Sequence, residues 1–260
     1  MKAMTDFFKL IANENMKIYS RVRTWVMIGI LAAFNVLMPV LMYLTGASMD
    51  LWTSFTWTES FTFMLNTIFT VVIAADMVAG EFTWGTIKLL LIRPWSRGKI
   101  LMSKFLALIL FSLLGTMIVA VVGMLSSALL FSGESAISLS SEGAGMEASA
   151  LLLLTDYIEL FVIALIAFMI STAFRSSSLA IGLSMLMLFT KDLFGLLLNP
   201  EKYEWAKYIL FLHIDLSDYI HSSVGPGGVG IGFSIAVLVG YCLIFALVSW
   251  WAFSKRDVSA

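Results

Sequence analysis

Residues 100–131 read ILMSKFLALILFSLLGTMIVAVVGMLSSALLF. Lys104 is the only charge in that run. A helix crossing a membrane needs about 20 mainly apolar residues to span roughly 30 Å of hydrocarbon. This run is longer than that, enough to tilt or to project from the bilayer. In lipid every backbone N–H and C=O must be satisfied within the chain, so such a run is a helix by default. Five more runs repeat the pattern, at 25–44, 61–79, 151–174, 179–198 and 231–253. Composition agrees: 60% of the 260 residues are hydrophobic and 13% are charged, with mean hydropathy +0.95. A soluble domain carries roughly 25% charged residues. So few charges cannot cover a water-facing surface. The sequence predicts one all-α membrane domain over residues 1–260, with six spans.

Lysine and arginine placement orients the spans. With the N-terminus inside, the inner segments hold 13 of the 16 basic residues, and the outer ones hold only Lys191, Lys202 and Lys207. The acids lean outward, 12 of 17. Both termini are therefore expected in the cytoplasm, in the plasma membrane of a bacterial cell. The opening residues MKAMTDFFKL lack an apolar core ahead of a cleavage site, so no signal peptide is expected.

Segments outside the spans have distinct characters. Residues 5–23 read as an amphipathic interfacial helix. Phe7, Phe8, Ile11, Ile18, Tyr19 and Val22 form its apolar face, Lys9, Asn13, Lys17 and Arg21 its polar face, and Leu10 and Asn15 break the pattern. Residues 132–150 are Ser/Gly/Glu-rich and read as an outer loop. Residues 199–230 form a larger outer segment that starts with aromatics and ends in GPGG.

Little in the chain suggests catalysis. Gly80 and Gly85 have the glycine spacing of a phosphate-binding loop, but Thr86 and Ile87 stand where Lys and Ser/Thr are needed. No cofactor is expected on this chain, and ATP, if used, binds elsewhere. Ser184 lacks the second glycine of a nucleophile elbow, because Leu186 occupies that position. Cys242 is the one cysteine, so neither a disulfide nor a thiolate zinc site can form. His213 and His221, with Asp215 and Asp218, could be written as an external metal site, but the histidine spacing suits neither i,i+3 nor i,i+4, so one helix face would not gather both histidines. No metal is expected. Charges inside spans are functional candidates by default. Asp76 lies near the inner end of the second span, Lys191 and Asp192 interrupt the fifth, and Asp156 and Glu159 begin the fourth.

The strongest signal is the inner loop over 80–99, within AGEFTWGTIKLLLIRPWSRGKILMSKFLA from Ala79. Glu81 to Ile92 can form a short helix along the cytoplasmic surface. Pro94 stops it, since proline pushes its predecessor out of the α region. Arg97, Lys99 and Lys104 then anchor the next span. The ordered set Glu81, Gly85, Thr86, Lys88, Leu89, Leu90, Arg93, Pro94, Ser96, Arg97, Ile100 and Lys104 resembles the loop of type-2 ABC exporter permeases. The closing FSKRDV, Phe253 to Val258, resembles that family's F-x-x-R-D-[IV] ending. Among such permeases the chain is most similar to the compact bacterial group linked to antibiotic or peptide export.

That resemblance implies a transmembrane subunit that is no enzyme by itself. A second permease protomer, identical or different, would pair with it, on two copies of a separate ABC ATPase carrying ATP and Mg. The loop would be the coupling helix, with Glu81, Gly85, Thr86, Lys88, Leu89, Leu90, Arg93, Pro94, Arg97 and Lys104 forming the contact. Residues 199–230 would narrow the exit, and the cargo would be amphiphilic or peptide-like. No nucleic-acid partner is implied. Two other readings stay open. One is a secondary transporter or channel acting without ATP, and the other is a membrane enzyme or scaffold.

Overall fold

The structure, a computed structural model, describes residues 2–46, 49–87, 95–131, 145–198, 203–222 and 224–255. The regular elements among them are all helical. They are α1 (Lys2–Tyr19), α2 (Val22–Leu44), α3 (Leu51–Thr83), α4 (Arg97–Phe131), α5 (Met146–Ala173), α6 (Ser177–Leu197), the short α7 (Asp218–His221) and α8 (Ile231–Lys255). Single 3-10 turns lie at Glu204–Tyr208, Leu210–Leu212 and Pro226–Gly228.

Five helices, α2, α3, α4, α5 and α8, are long and apolar enough to cross a membrane. The stretch expected as the fifth span is helical in α6, but its apolar part, Ser177–Lys191, is shorter. Lys191 and Asp192 end that part.

Side-chain contacts show that successive long helices alternate in direction. At one end, here called the charged end, Ser177 at the start of α6 meets Asp76 near the end of α3. There too Arg97, opening α4, donates to the carbonyl of Ser254, closing α8, at 2.9 Å. At the opposite end the start of α3 meets the end of α4 through Ser54 and Ser127, 3.4 Å apart. Thr56 likewise meets Ser149 of α5 at 3.3 Å.

The second span was expected over 61–79, but α3 runs from Leu51 to Thr83. At 1.5 Å per residue it is about 50 Å long, well beyond the hydrocarbon thickness. Its first turns are polar in sequence, yet Ser54, Thr58, Glu59 and Thr62 are buried against other helices. Packing between helices, not lipid, is their environment. The same stripe continues through Asn66, Thr67 and Thr70, all buried. Small residues let helices approach and polar side chains join them in a membrane. Here Asn66 donates to Thr116 of α4 at 3.3 Å, and Thr62 to Asn35 of α2 at 3.2 Å.

Pro39 sits inside α2. Having no N–H, it leaves the carbonyl of Asn35 without its helical donor. The hydroxyl of Ser126, on α4, donates to that carbonyl at 2.7 Å. A kinking residue is thus accommodated by a serine from a neighbouring helix, as lipid-buried backbone requires.

The described residues of the stretch over 203–229 fold back on the bundle. Ala206, Leu210, Ile214 and Leu216 are buried, and Phe211 stacks on Phe194 of α6 with ring centroids 4.7 Å apart.

Candidate functional site at the charged end

The chain breaks between α1 and α2 at Ser20 and Arg21. The hydroxyl of Thr24 donates to the carbonyl of Ile18 at 2.6 Å, and the Trp25 indole to that of Tyr19 at 2.8 Å. These bonds satisfy the last carbonyls of α1 and fix its angle to α2. The face that α1 packs inward is Leu10, Glu14 and Ile18. This inward face is distinct from the apolar face expected to meet the membrane interface. Leu10, which seemed to break the pattern, is buried, while Phe8 is 62% exposed. The reason is electrostatic: Glu14 is drawn inward by a lysine of α4.

That lysine is Lys104, 1% exposed, whose ammonium lies 2.7 Å from Glu14 and 3.0 Å from Glu81. Lys17 lies 2.8 Å from each of the same carboxylates. Two lysines and two glutamates therefore alternate in a closed ring joining α1, α3 and α4. Each charge has two opposite neighbours, the arrangement in which Coulomb attraction can offset desolvation for the buried Glu14 and Lys104. The Thr86 hydroxyl also donates to Glu81.

Lys17 titrates above its ordinary value of 10.5. Burial works to lower it, but hydrogen bonds and charge from Glu14, then Glu81, override burial. A raised lysine contributes stability that is complete below its unfolded value and is lost as pH rises through its folded value. The wild type should therefore lose more thermal stability than Lys17→Met between neutral pH and pH values above 10.5, measured by tryptophan-monitored unfolding.

Beside the ring, Asp76 of α3 accepts from Arg21, Arg23 and the Ser177 hydroxyl. Thr83 accepts from the amide of Ser177 at 3.0 Å, tying the α5–α6 link to the end of α3. A cavity of 750 Å³ lies between these groups, lined by Lys17, Arg21, Arg23, Asp76, Glu81 and Ser178 among others.

The sequence-derived residues divide accordingly. Glu81 and Lys104 meet in the ring. Glu81 does not open a separate surface helix, which is a correction: it occupies the last turn of α3. The chain turns after it at Trp84–Thr86, where Gly85 has φ +69°, a left-handed conformation that glycine adopts without a Cβ clash. Trp84 there is 74% exposed. Arg97 serves the α4–α8 contact. Lys88, Leu89, Leu90, Arg93 and Pro94 lie outside the described residues, as do Arg256, Asp257 and Val258 of the FSKRDV tail. Asp76 sits in the arginine cluster. Lys191 pairs with Glu159 of α5. Asp192 follows Lys191 in α6, and its side chain lies outside the described set.

His213 is buried between the Ser234 hydroxyl and the carbonyl of Lys207, each 2.7 Å from a ring nitrogen. It thereby ties the turn at Glu204–Tyr208 to α8. Among the described residues no three His, Cys, Asp or Glu side chains are grouped to hold a metal.

Sequence reasoning missed Glu14, Arg23 and Ser177. Glu14 carried a signal, three residues before Lys17 on one helix face. Arg23 and Ser177 carried none, because their partner Asp76 is remote in sequence.

An all-helical bundle with five membrane-length apolar helices defines a multi-pass membrane protein. Residues 22–259 match a family described as Protein of unknown function (DUF2705), and the chain belongs to that family. It is 34% identical to the Uncharacterized protein YhcI of Bacillus subtilis (strain 168), over 96% of this chain and 99% of the relative. It is 29% identical to the Uncharacterized membrane protein YdbK of the same organism, over 94% and 99%.

Proposed function

We propose that this chain is the transmembrane permease subunit of an ATP-driven ABC exporter, moving an amphiphilic or peptide-like substrate out of the cell. ATP hydrolysis then belongs to two copies of a separate ATPase, and a second permease protomer, identical or different, completes the path. The observation that carries this reading is the ring of Glu14, Lys17, Glu81 and Lys104 behind the Trp84–Thr86 turn. A soluble motor pressing on that turn would meet a lever already bonded to α1, α3 and α4. Glu81 is the link, since Thr86 donates to it on one side and both lysines on the other.

The alternating direction of the long helices supports six crossings, with α6 as the fifth. The crowding of basic residues at the charged end supports a cytoplasmic location for that end and for both termini, in a bacterial plasma membrane. Phe8 and Met16, exposed on α1, suit contact with the lipid interface.

The test is Glu81→Gln and Gly85→Val in the complex with the ATPase. Coupling should fail, with substrate export falling at least tenfold while ATP hydrolysis persists. Unchanged export per ATP in both variants would sink the coupling role. A second reading, an ion-coupled transporter without ATP, has one observation behind it: the carboxylates Glu59, Asp156 and Glu159 among the helices away from the charged end.

A further inference from the structure

The arginine cluster beside the ring carries more positive charge than its carboxylate absorbs. Arg21 and Arg23 both bond Oδ2 of Asp76, and the Ser177 hydroxyl bonds Oδ1. One carboxylate thus serves two guanidiniums, and its second oxygen is already taken. The neighbouring ring is balanced, two lysines against two glutamates. Among these bonded groups one positive charge is left over, and it belongs to the arginine pair.

That charge is within reach of a ligand. Lys17, Arg21 and Arg23 all line the 750 Å³ cavity, and their side chains are 38%, 41% and 37% exposed. A guanidinium presents several N–H donors in a fixed fork, so a bond to Asp76 leaves each arginine donors for a second anion. Another part of the wall is the start of α6, at Ser177 and Ser178. The positive end of a 21-residue helix lies there. Arg175, whose carbonyl accepts from Thr83 at 3.4 Å, is exposed on the adjoining α5–α6 link. The volume is well inside the range for ligand pockets, about 300–1,000 Å³. The cavity also lies at headgroup depth. Trp84 lines it where α3 ends, Trp25 stands in the first turn of α2, and both are exposed. Exposed tryptophans at the ends of membrane helices mark the interface.

We infer that this cavity binds a phosphate group, held by the guanidiniums of Arg21 and Arg23 with Lys17 and the start of α6 beside them. A phosphate brings the missing negative charge, and its oxygens match the arginine fork. Basic pockets between helices at a membrane surface take lipid headgroups. The depth of this one therefore favours the phosphodiester of an anionic lipid over a soluble phosphate. The inference concerns this chain alone and needs no ATPase, so it and the exporter reading can fail separately.

The test uses the full-length protein, stripped of lipid in mild surfactant, with native mass spectrometry counting the bound molecules. Dioleoylphosphatidylglycerol is compared with dioleoylglycerol, which has the same chains and no phosphate. Glycerol 3-phosphate, which has the phosphate and no chains, is the soluble arm. The wild type should bind phosphatidylglycerol and not dioleoylglycerol. Displacement of that lipid by glycerol 3-phosphate would support the site with a soluble source, and persistence of the lipid would support it with a lipid source. Arg21→Gln and Arg23→Gln each leave Asp76 one arginine, so both should keep the wild-type elution profile. Each should weaken binding about fivefold or more, the worth of one arginine at an anionic headgroup. Ser178→Glu is a second route, since a carboxylate in the first turn of α6 is tolerated by the fold yet repels phosphate. It should weaken binding at least as much. Lys99→Gln, at an exposed lysine outside the cavity lining, should change nothing. Equal binding of dioleoylglycerol, absence of binding by both phosphate compounds, undiminished affinity in the folded cavity variants, or an equal loss in Lys99→Gln would overturn the inference.

Discussion

Lys104→Met is expected to destabilise the protein by about 3–5 kcal/mol, the cost of breaking a buried ion pair by removing one partner. Its ammonium is 1% exposed and contacts both Glu14 and Glu81. Methionine keeps the volume and removes the charge, so the two carboxylates then share only Lys17. The cause can be separated from lost packing. Adding Glu14→Gln and Glu81→Gln to Lys104→Met removes the unpaired charges as well, and the triple variant should recover most of the loss. Lys99 provides the contrast on the same helix. It is exposed and lies over the Trp95 ring at 5.7 Å, so Lys99→Met should cost about 1 kcal/mol or less. Unfolding of the purified protein, followed by tryptophan fluorescence, checks all three.

Gly115→Val should be nearly as damaging, at about 3 kcal/mol, the upper part of the range for overpacked cores. A Cβ at Gly115 would lie 2.0 Å from the Asn66 side-chain oxygen and 2.9 Å from its Cγ. No rotation of the new side chain relieves that overlap, because the clash begins at the first carbon. Either α3 and α4 separate or Asn66 gives up its bond to Thr116. Gly182→Ala, on α6, tests the specificity of the claim. Nothing lies within 4 Å of a Cβ there. The change should be neutral or slightly stabilising, since alanine is the better helix former by roughly 0.5–1 kcal/mol. Combining Gly115→Ala with Asn66→Ala should be milder than Gly115→Ala alone, which a double-mutant cycle measures directly.

The helices were legible in the sequence because lipid imposes a demand that apolar run length reports. The run at 100–131 is found as Arg97–Phe131, and 231–253 as Ile231–Lys255. Legibility failed where protein replaces lipid as the environment. The first turns of α3 carry Ser54, Thr58 and Glu59, and hydropathy rejects such residues although all three are buried. The inward-packed set of α1 was missed for a related reason, since a glutamate turned inward looks like a polar-face residue until its lysine is known. The ordered motif of the loop singled out Glu81 and Lys104 as a coupling contact, and their mutual ion pair was no part of that reading. Their partners Glu14 and Lys17 lie some 60 to 90 positions away in sequence, at separations of 64 and 90. Charge pairing over such distances leaves no local pattern.

The proposal that this chain works as half of an ATP-driven export machine is tested most directly on the protein taken from its own membrane. A tagged copy is purified in mild surfactant, and the mass of the intact complex and its ATP hydrolysis are measured together. The proposal predicts a complex of two permease protomers with two nucleotide-binding chains, hydrolysing ATP, with Glu81→Gln leaving the mass unchanged and abolishing export by reconstituted vesicles. A homogeneous preparation of this chain without a nucleotide-binding partner, moving cargo across vesicles with no ATP present, would contradict it.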